Sequence, residues 1–246
     1  MSATYPSSIR ERFLVSFLNN IIRAGVSFLS AILLARWLGP EDFGRLSFIL
    51  ASLLAFKGLL GMGSASAFVT LTSQRRRSRK FINTYWLWVL TQLIISISIV
   101  AFIIPDIELK HLWKGEDRFL IVLGLIAVFA QNLVWTSALT MAEAQRQTIP
   151  AQKINTAVVL IHLCVVILLW IFGKLAIPFL FIALAVEWSL AGWFTSRLYS
   201  INKDVEEDES FLKILSEFKI FCLPLIPYAW LGFIHDFADR WMLQHW

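Results

Sequence analysis

Long apolar stretches separated by short polar connections fill the chain, and each stretch is long enough to form a helix across a hydrocarbon layer about 30 Å thick. Read in order, they predict seven helices: about Phe13 to Leu38, Phe43 to Leu71, Phe81 to Ile104, Phe119 to Met141, Ile154 to Phe172, Leu175 to Leu198, and a last one from about Phe218. The first two are joined by Leu38, Gly39, Pro40, Glu41, Asp42, Phe43 and Gly44. Gly39 and Pro40 stop one helix, and the two acids suit the first turn of the next. The second helix ends in small residues from Gly58 to Ala67 that permit close helix approach. Pro224 and Pro227 predict a kink in the seventh.

Polar side chains inside these stretches carry the functional signal. In the first helix Ser16, Asn20, Arg23, Ser27 and Ser30 are spaced by four, three, four and three residues, so they share one helical stripe. The second helix holds Lys57. Counted from Phe13 and Phe43, Arg23 and Lys57 lie roughly 15 to 20 Å deep, near the midplane. An isolated cation there costs about 2.5 to 3.5 kcal/mol, so such residues normally face a bundle interior or a watery cavity. Further polar groups lie within the helices: Asn19 in the first, Gln131 and Asn132 in the fourth, Asn155 and His162 in the fifth, and Glu187 near the centre of the sixth. The seventh carries Asp236, Asp239 and Arg240 near its outer end.

Composition narrows the class. With 58% hydrophobic residues, eleven Trp and twenty Phe in 246 residues, the chain is too apolar for a soluble domain and reads as an all-α polytopic membrane bundle. The net charge of +5 sits mainly in short loops, where it encodes orientation, so nucleic acid is not an expected partner. The densest cluster, Arg75, Arg76, Arg77, Arg79 and Lys80, places its loop in the cytoplasm and the N-terminus with it. By alternation, the inner segments then carry about twice as many basic residues as the outer ones. Cys164 and Cys222 lie in apolar runs without metal or redox spacing, and no cofactor is expected. The first stretch lacks a small-residue cleavage site and is read as a retained span. Trp37, Trp86, Trp113 and Trp241 fall near helix ends, as interfacial anchors would.

After the sixth helix, the charge run from Lys203 to Glu209 reads as a solvated linker. A shift of 204 residues aligns Phe17 with Phe221, Ile22 with Ile226, Arg36 with Arg240 and Trp37 with Trp241, a weak repeat between first and seventh helices.

Asn20 and Arg23, followed by the segment from Ala35 to Gly44 with its LGP..FG turn, resemble the first helix and first turn of Wzx-type polysaccharide flippases. These belong to the superfamily of MATE exporters and the lipid II flippase MurJ. The resemblance covers the whole chain as an N-terminal half. It implies a six-helix transmembrane lobe at residues 1–200, a cytoplasmic linker at 201–217, and the first helix of a second lobe at 218–246. Family members have twelve or more helices around a central cavity, so the expectation is a fragment or truncated form. The implied activity is movement of a polyprenyl-diphosphate-linked oligosaccharide across the cell inner (cytoplasmic) membrane, with no covalent chemistry. The partners implied are that lipid, the bilayer and other polysaccharide-assembly membrane proteins.

On this reading Arg23 and Lys57 bind the diphosphate, Arg by bidentate hydrogen bonds and Lys as a point charge. The alternative is a structural ion pair with Glu187. Asn19, Asn20, Gln131 and Asn132 are candidates for sugar hydroxyls or for hydrogen bonds between helices. His162 is a proton relay or a packing residue, and Asp236, Asp239 and Arg240 a gate or a local charge pair. Competing functions are a MATE-like small-molecule antiporter, which would favour acidic mid-depth groups, a membrane enzyme, for which the outer loop Pro105 to Arg118 is too short, and a non-transporting fragment.

Overall fold

The computed structural model describes residues 9–75, 77–144, 147–198 and 210–245, and the side chains of residues 9, 11, 12, 144, 197, 198 and 236–245 lie outside that description. Every element among the described residues is helical: α1 Ile9–Gly61, α2 Ser64–Gln74, α3 Arg79–Ser98, α4 Asp106–Leu112, α5 Arg118–Phe129, α6 Thr136–Ala144, α7 Thr148–Ile171, α8 Ile177–Leu198, α9 Phe211–Cys222 and α10 Ile226–His245. A π-helical turn, Ile99–Ile103, extends α3, and a second, Ala130–Trp135, joins α5 to α6. Six of the described helical stretches are long and apolar enough to cross a membrane. The fold is a polytopic helical bundle.

The first of those stretches, Phe13–Gly61, holds 49 residues, about 74 Å of helix and far more than one crossing needs. It is two crossings, because Gly39 leaves helical geometry at φ 82°, ψ 166° and Pro40 follows it. Contacts fix the reversal. Asn19 meets Thr156 near the start of α7 while Trp37 stacks on Trp170 near its end, so the first arm runs parallel to α7. Beyond Gly39, Arg45 meets Glu116 ahead of α5, and Leu60 meets Gln92 deep in α3, so the second arm runs back. Its glycine admits the positive φ at little steric cost.

The second predicted helix is interrupted. Met62 and Gly63 take left-handed φ values of 44° and 76°, and α2 restarts at Ser64. From Gln74 back to Ser64 is about 15 Å of helix, which puts this break at mid-depth. Gln92 serves the freed backbone there, donating to the Leu60 carbonyl at 3.2 Å. Leu225, in the turn between α9 and α10, packs so closely on Gly63 that a Cβ at that position would lie 2.5 Å from its Cδ1.

The core is continuous through the middle of the bundle, with Ile49, Leu53, Phe81, Ile121, Leu125 and Phe181 fully buried. Lipid tails are as apolar as these side chains, so close packing and hydrogen bonds hold the helices together. Phe68 stacks on Tyr85 at 3.9 Å, and the Tyr85 hydroxyl meets Ser137 Oγ at 2.6 Å. Gly192 of α8 lets the π-turn approach, since a Cβ there would sit 2.7 Å from Val134 Cγ1.

Ion pairs tie both ends. At the end that carries the Gly39 turn, Arg45 grips buried Glu116 with two bonds, at 2.8 and 3.0 Å. Arg118 bonds Asp106 and also donates to the carbonyls of Val100, Ala101 and Ile104, which close the π-turn. That hydrogen bond, reinforced by Arg118's charge, holds the Asp106 carboxyl below the ordinary aspartate range. Trp113, expected as an interfacial anchor, is instead buried, with Nε1 donating to Ser52 Oγ at 2.9 Å. At the opposite end Glu217 of α9 accepts from Arg75 and Arg77. The seventh crossing thus begins at Phe211 and not at about Phe218. Lys213, Ser216 and Glu217 hide its apolar face in the sequence, while Ile214 is buried and Phe218 stacks on Phe81 at 5.1 Å. Part of the segment expected as linker is therefore helical, and residues 201–209 lie outside the described residues.

Candidate functional site

The first arm of α1 is covered mainly where it meets α7. Phe13, Phe17, Ile21 and Phe28 are exposed, whereas Ser30 is buried and donates to the Val26 carbonyl. The polar stripe runs along the edge of that contact: Ser16 and Arg23 are half-buried, Asn20 and Ser27 exposed. Asn19 belongs to the seam itself, accepting from Thr156 Oγ1 at 2.7 Å while its amide donates to the Val15 carbonyl. Four residues farther along α1 comes Arg23, about 21 Å from the helix start and thus mid-span.

Arg23 and Lys57 share one property. Both are half-buried, and neither forms a hydrogen bond or ion pair among the described residues. Every other basic side chain considered above inside the bundle has an acid or a carbonyl: Arg77 has Glu217 and the Leu71 carbonyl, and Arg118 has Asp106 and three carbonyls. The expected alternative partner, Glu187, is engaged elsewhere. Its Oε2 lies 2.8 Å from His162 Nδ1, across the seam between α7 and α8.

That pair sits among aromatic residues. Trp188 packs at 6.4 Å from the His162 ring and 5.7 Å from Trp135, and Val158, Val159 and Val26 complete the apolar surroundings. Glu187 Oε1 and Trp188 Nε1 are buried and without a hydrogen-bond partner among the described residues. The pairing was readable in principle. His162 lies nine residues before Ile171 and Glu187 ten after Ile177, so two antiparallel helices joined by a short turn set them at one level.

The amides of the fourth predicted helix lie at the π-turn between α5 and α6. Gln131 and Asn132 fall on the π-turn and are half-buried; Asn132 Nδ2 donates to the Val128 carbonyl at 3.2 Å, and the Gln131 carbonyl accepts from Thr136. The backbone of α10 passes through Asp236, Asp239 and Arg240, whose side chains lie outside the described residues. Two cavities stand out. One of about 340 Å³ lies between α3 and α9, lined by Met62, Tyr85, Trp88, Phe218 and Lys219; one of about 230 Å³ lies between α3 and the π-turn, near Trp86 and Phe129. Arg23 and Lys57 line neither.

Sequence reasoning missed the polar residues that hold the helices in place. Gln92, Arg77 and Glu217 each satisfy buried groups across a helix contact, and a linear pattern shows only that they are polar. No cluster of three metal-ligating side chains occurs among the described residues. What the arrangement offers is two half-buried cations on α1 and one His–Glu pair at the α7–α8 seam.

Among known protein families, the model described as polysaccharide biosynthesis protein matches residues 9–228. No curated protein and no solved structure matches the chain.

Proposed function

Because the chain belongs to the polysaccharide biosynthesis protein family, whose model spans residues 9–228, we propose that it forms a flippase lobe that moves a polyprenyl-diphosphate-linked oligosaccharide outward across the cytoplasmic membrane. The family and the membrane bundle fit a transporter and not an enzyme. Residues 1–200 make up the lobe in this reading, and the helix from Phe211 opens a second. The N-terminus and the Arg75 to Lys80 cluster face the cytoplasm.

One observation carries the proposal: Arg23 and Lys57 are held half-buried at mid-span with their charges uncompensated among the described residues. A buried cation without an acid favours an anionic guest. At about 4 Å and an effective dielectric near 20, each cation–phosphate contact contributes roughly 4 kcal/mol of Coulomb attraction before desolvation is subtracted. In this reading Arg23 supplies a planar fork for two phosphate oxygens and Lys57 a second, compact charge. Asn20, exposed on the same stripe, is placed to meet a sugar hydroxyl. The prenyl tail stays in the lipid that the arm already faces through Phe17 and Ile21.

Binding of a polyprenyl diphosphate and of the neutral polyprenol to the purified chain in lipid nanodiscs tests this directly. The wild type is expected to prefer the diphosphate, and Arg23→Ala and Lys57→Ala each to lose about tenfold or more of that preference, the loss of one charge-assisted contact of about 1.5 to 3 kcal/mol. Equal binding of both lipids, or variants indistinguishable from wild type, would refute it.

A further inference from the structure

We propose that His162 and Glu187 form a proton-binding site at the α7–α8 seam, which takes up and releases one proton without leaving the bundle interior. The proposal goes beyond the flippase reading and holds whatever cargo the bundle carries.

The geometry supports two protonation states in one place. The bonded pair is neutral when His162 carries both ring protons and Nδ1–H donates to an ionised Glu187 Oε2 across 2.8 Å, and it gains one positive charge when a further proton sits on Oε1 with that same bond kept. Neither state requires a side chain to move. A purely structural pair would be expected to satisfy both carboxylate oxygens, since a buried one left without a donor costs free energy. Here Glu187 is 9% exposed in its side chain and Oε1 is buried without a partner among the described residues. This leaves a second oxygen on which a proton can reside while Oε2 keeps its bond to the ring.

Neighbouring charges leave the pair to itself. Among the described side chains, α1 brings Arg23 to the face it shares with α7, α6 brings Glu143, which is bonded to Gln152 at 2.8 Å, and α7 itself carries Lys153 near its inner end. The π-turn and α5 bring Trp135 and apolar residues, with Arg118 at the far outer end. When the pair gains a proton its net charge changes from zero to plus one.

Infrared difference spectra of the full chain in lipid, recorded between about pH 5 and about pH 9, test the site without any transport assay. The expected result is a carboxylic C=O band that grows on acidification, exchanges slowly in heavy water, disappears in Glu187→Gln and shifts in His162→Gln. If Glu187→Gln does not fold, the shift in His162→Gln decides alone. Identical carboxyl bands in wild type and in the folded variants would overturn the proposal. A diphosphate preference that Arg23→Ala and Lys57→Ala lose, with no such band in the wild type, would sink the proton site and leave the flippase reading standing, and the reverse result would do the opposite.

Discussion

Replacing Gly63 by alanine should loosen the seventh helix from the rest of the bundle, and the size of the effect can be worked out in two parts. Gly63 has φ +76°, and the alanine Cβ would lie 2.5 Å from Leu225 Cδ1 and 3.0 Å from Leu225 Cβ. A left-handed backbone costs an L-residue about 1 to 2 kcal/mol, and overpacking costs about 1 to 3 kcal/mol, so the sum is about 2 to 5 kcal/mol. The second part depends on Leu225 and the first does not. A double-mutant cycle with Leu225→Ala should therefore return a coupling of about 1 to 3 kcal/mol. The assay is equilibrium unfolding in mixed micelles followed by tryptophan fluorescence. If Gly63→Ala is as stable as wild type, or if the two substitutions add without coupling, the close approach of Leu225 to the helix break is not what holds this contact.

Glu217→Ala removes the shared acid from Arg75 and from Arg77, whose side chain is only 2% exposed, and should cost about 2 kcal/mol and speed proteolysis near Phe211. Trp113→Phe keeps the ring but deletes the Nε1–H bond to Ser52, so a loss of about 1 kcal/mol in the same unfolding assay is expected. Asp106 is held below the ordinary aspartate range by Arg118, so its contribution is complete above the unfolded-state value and disappears as the pH falls through the folded one. Hydrogen exchange at residues 99–106 should accordingly stay slow at about pH 5 and accelerate only well below it, at pH values under about 3.9.

The membrane class, the crossings and the turn at Gly39 were legible because apolar length and a Gly-Pro stop act locally, within a dozen residues. The break at Met62 and Gly63 was not. Met62 has no special preference for its φ of 44°, and the small residues around it fit a continuous helix as well as a broken one. The start of the seventh helix was misplaced because Lys213 and Glu217 read as solvated charges until Arg75 and Arg77 arrive from more than a hundred residues away. Arg23, Lys57 and Glu187 could be picked out by the cost of charge at depth. That Glu187 would choose His162, and leave both cations without it, depends on which helix faces lie together.

The central claim is that Arg23 and Lys57 face a wet path and not acyl chains. In a background with Cys164 and Cys222 replaced, Arg23→Cys and Lys57→Cys can each be spin-labelled and their collision rates with a water-soluble paramagnetic ion compared with those of oxygen, which partitions into lipid. Predominant access to the water-soluble ion, reduced when polyprenyl diphosphate is added, is the predicted result. Labels that collide with oxygen alone, with or without the diphosphate, would contradict it.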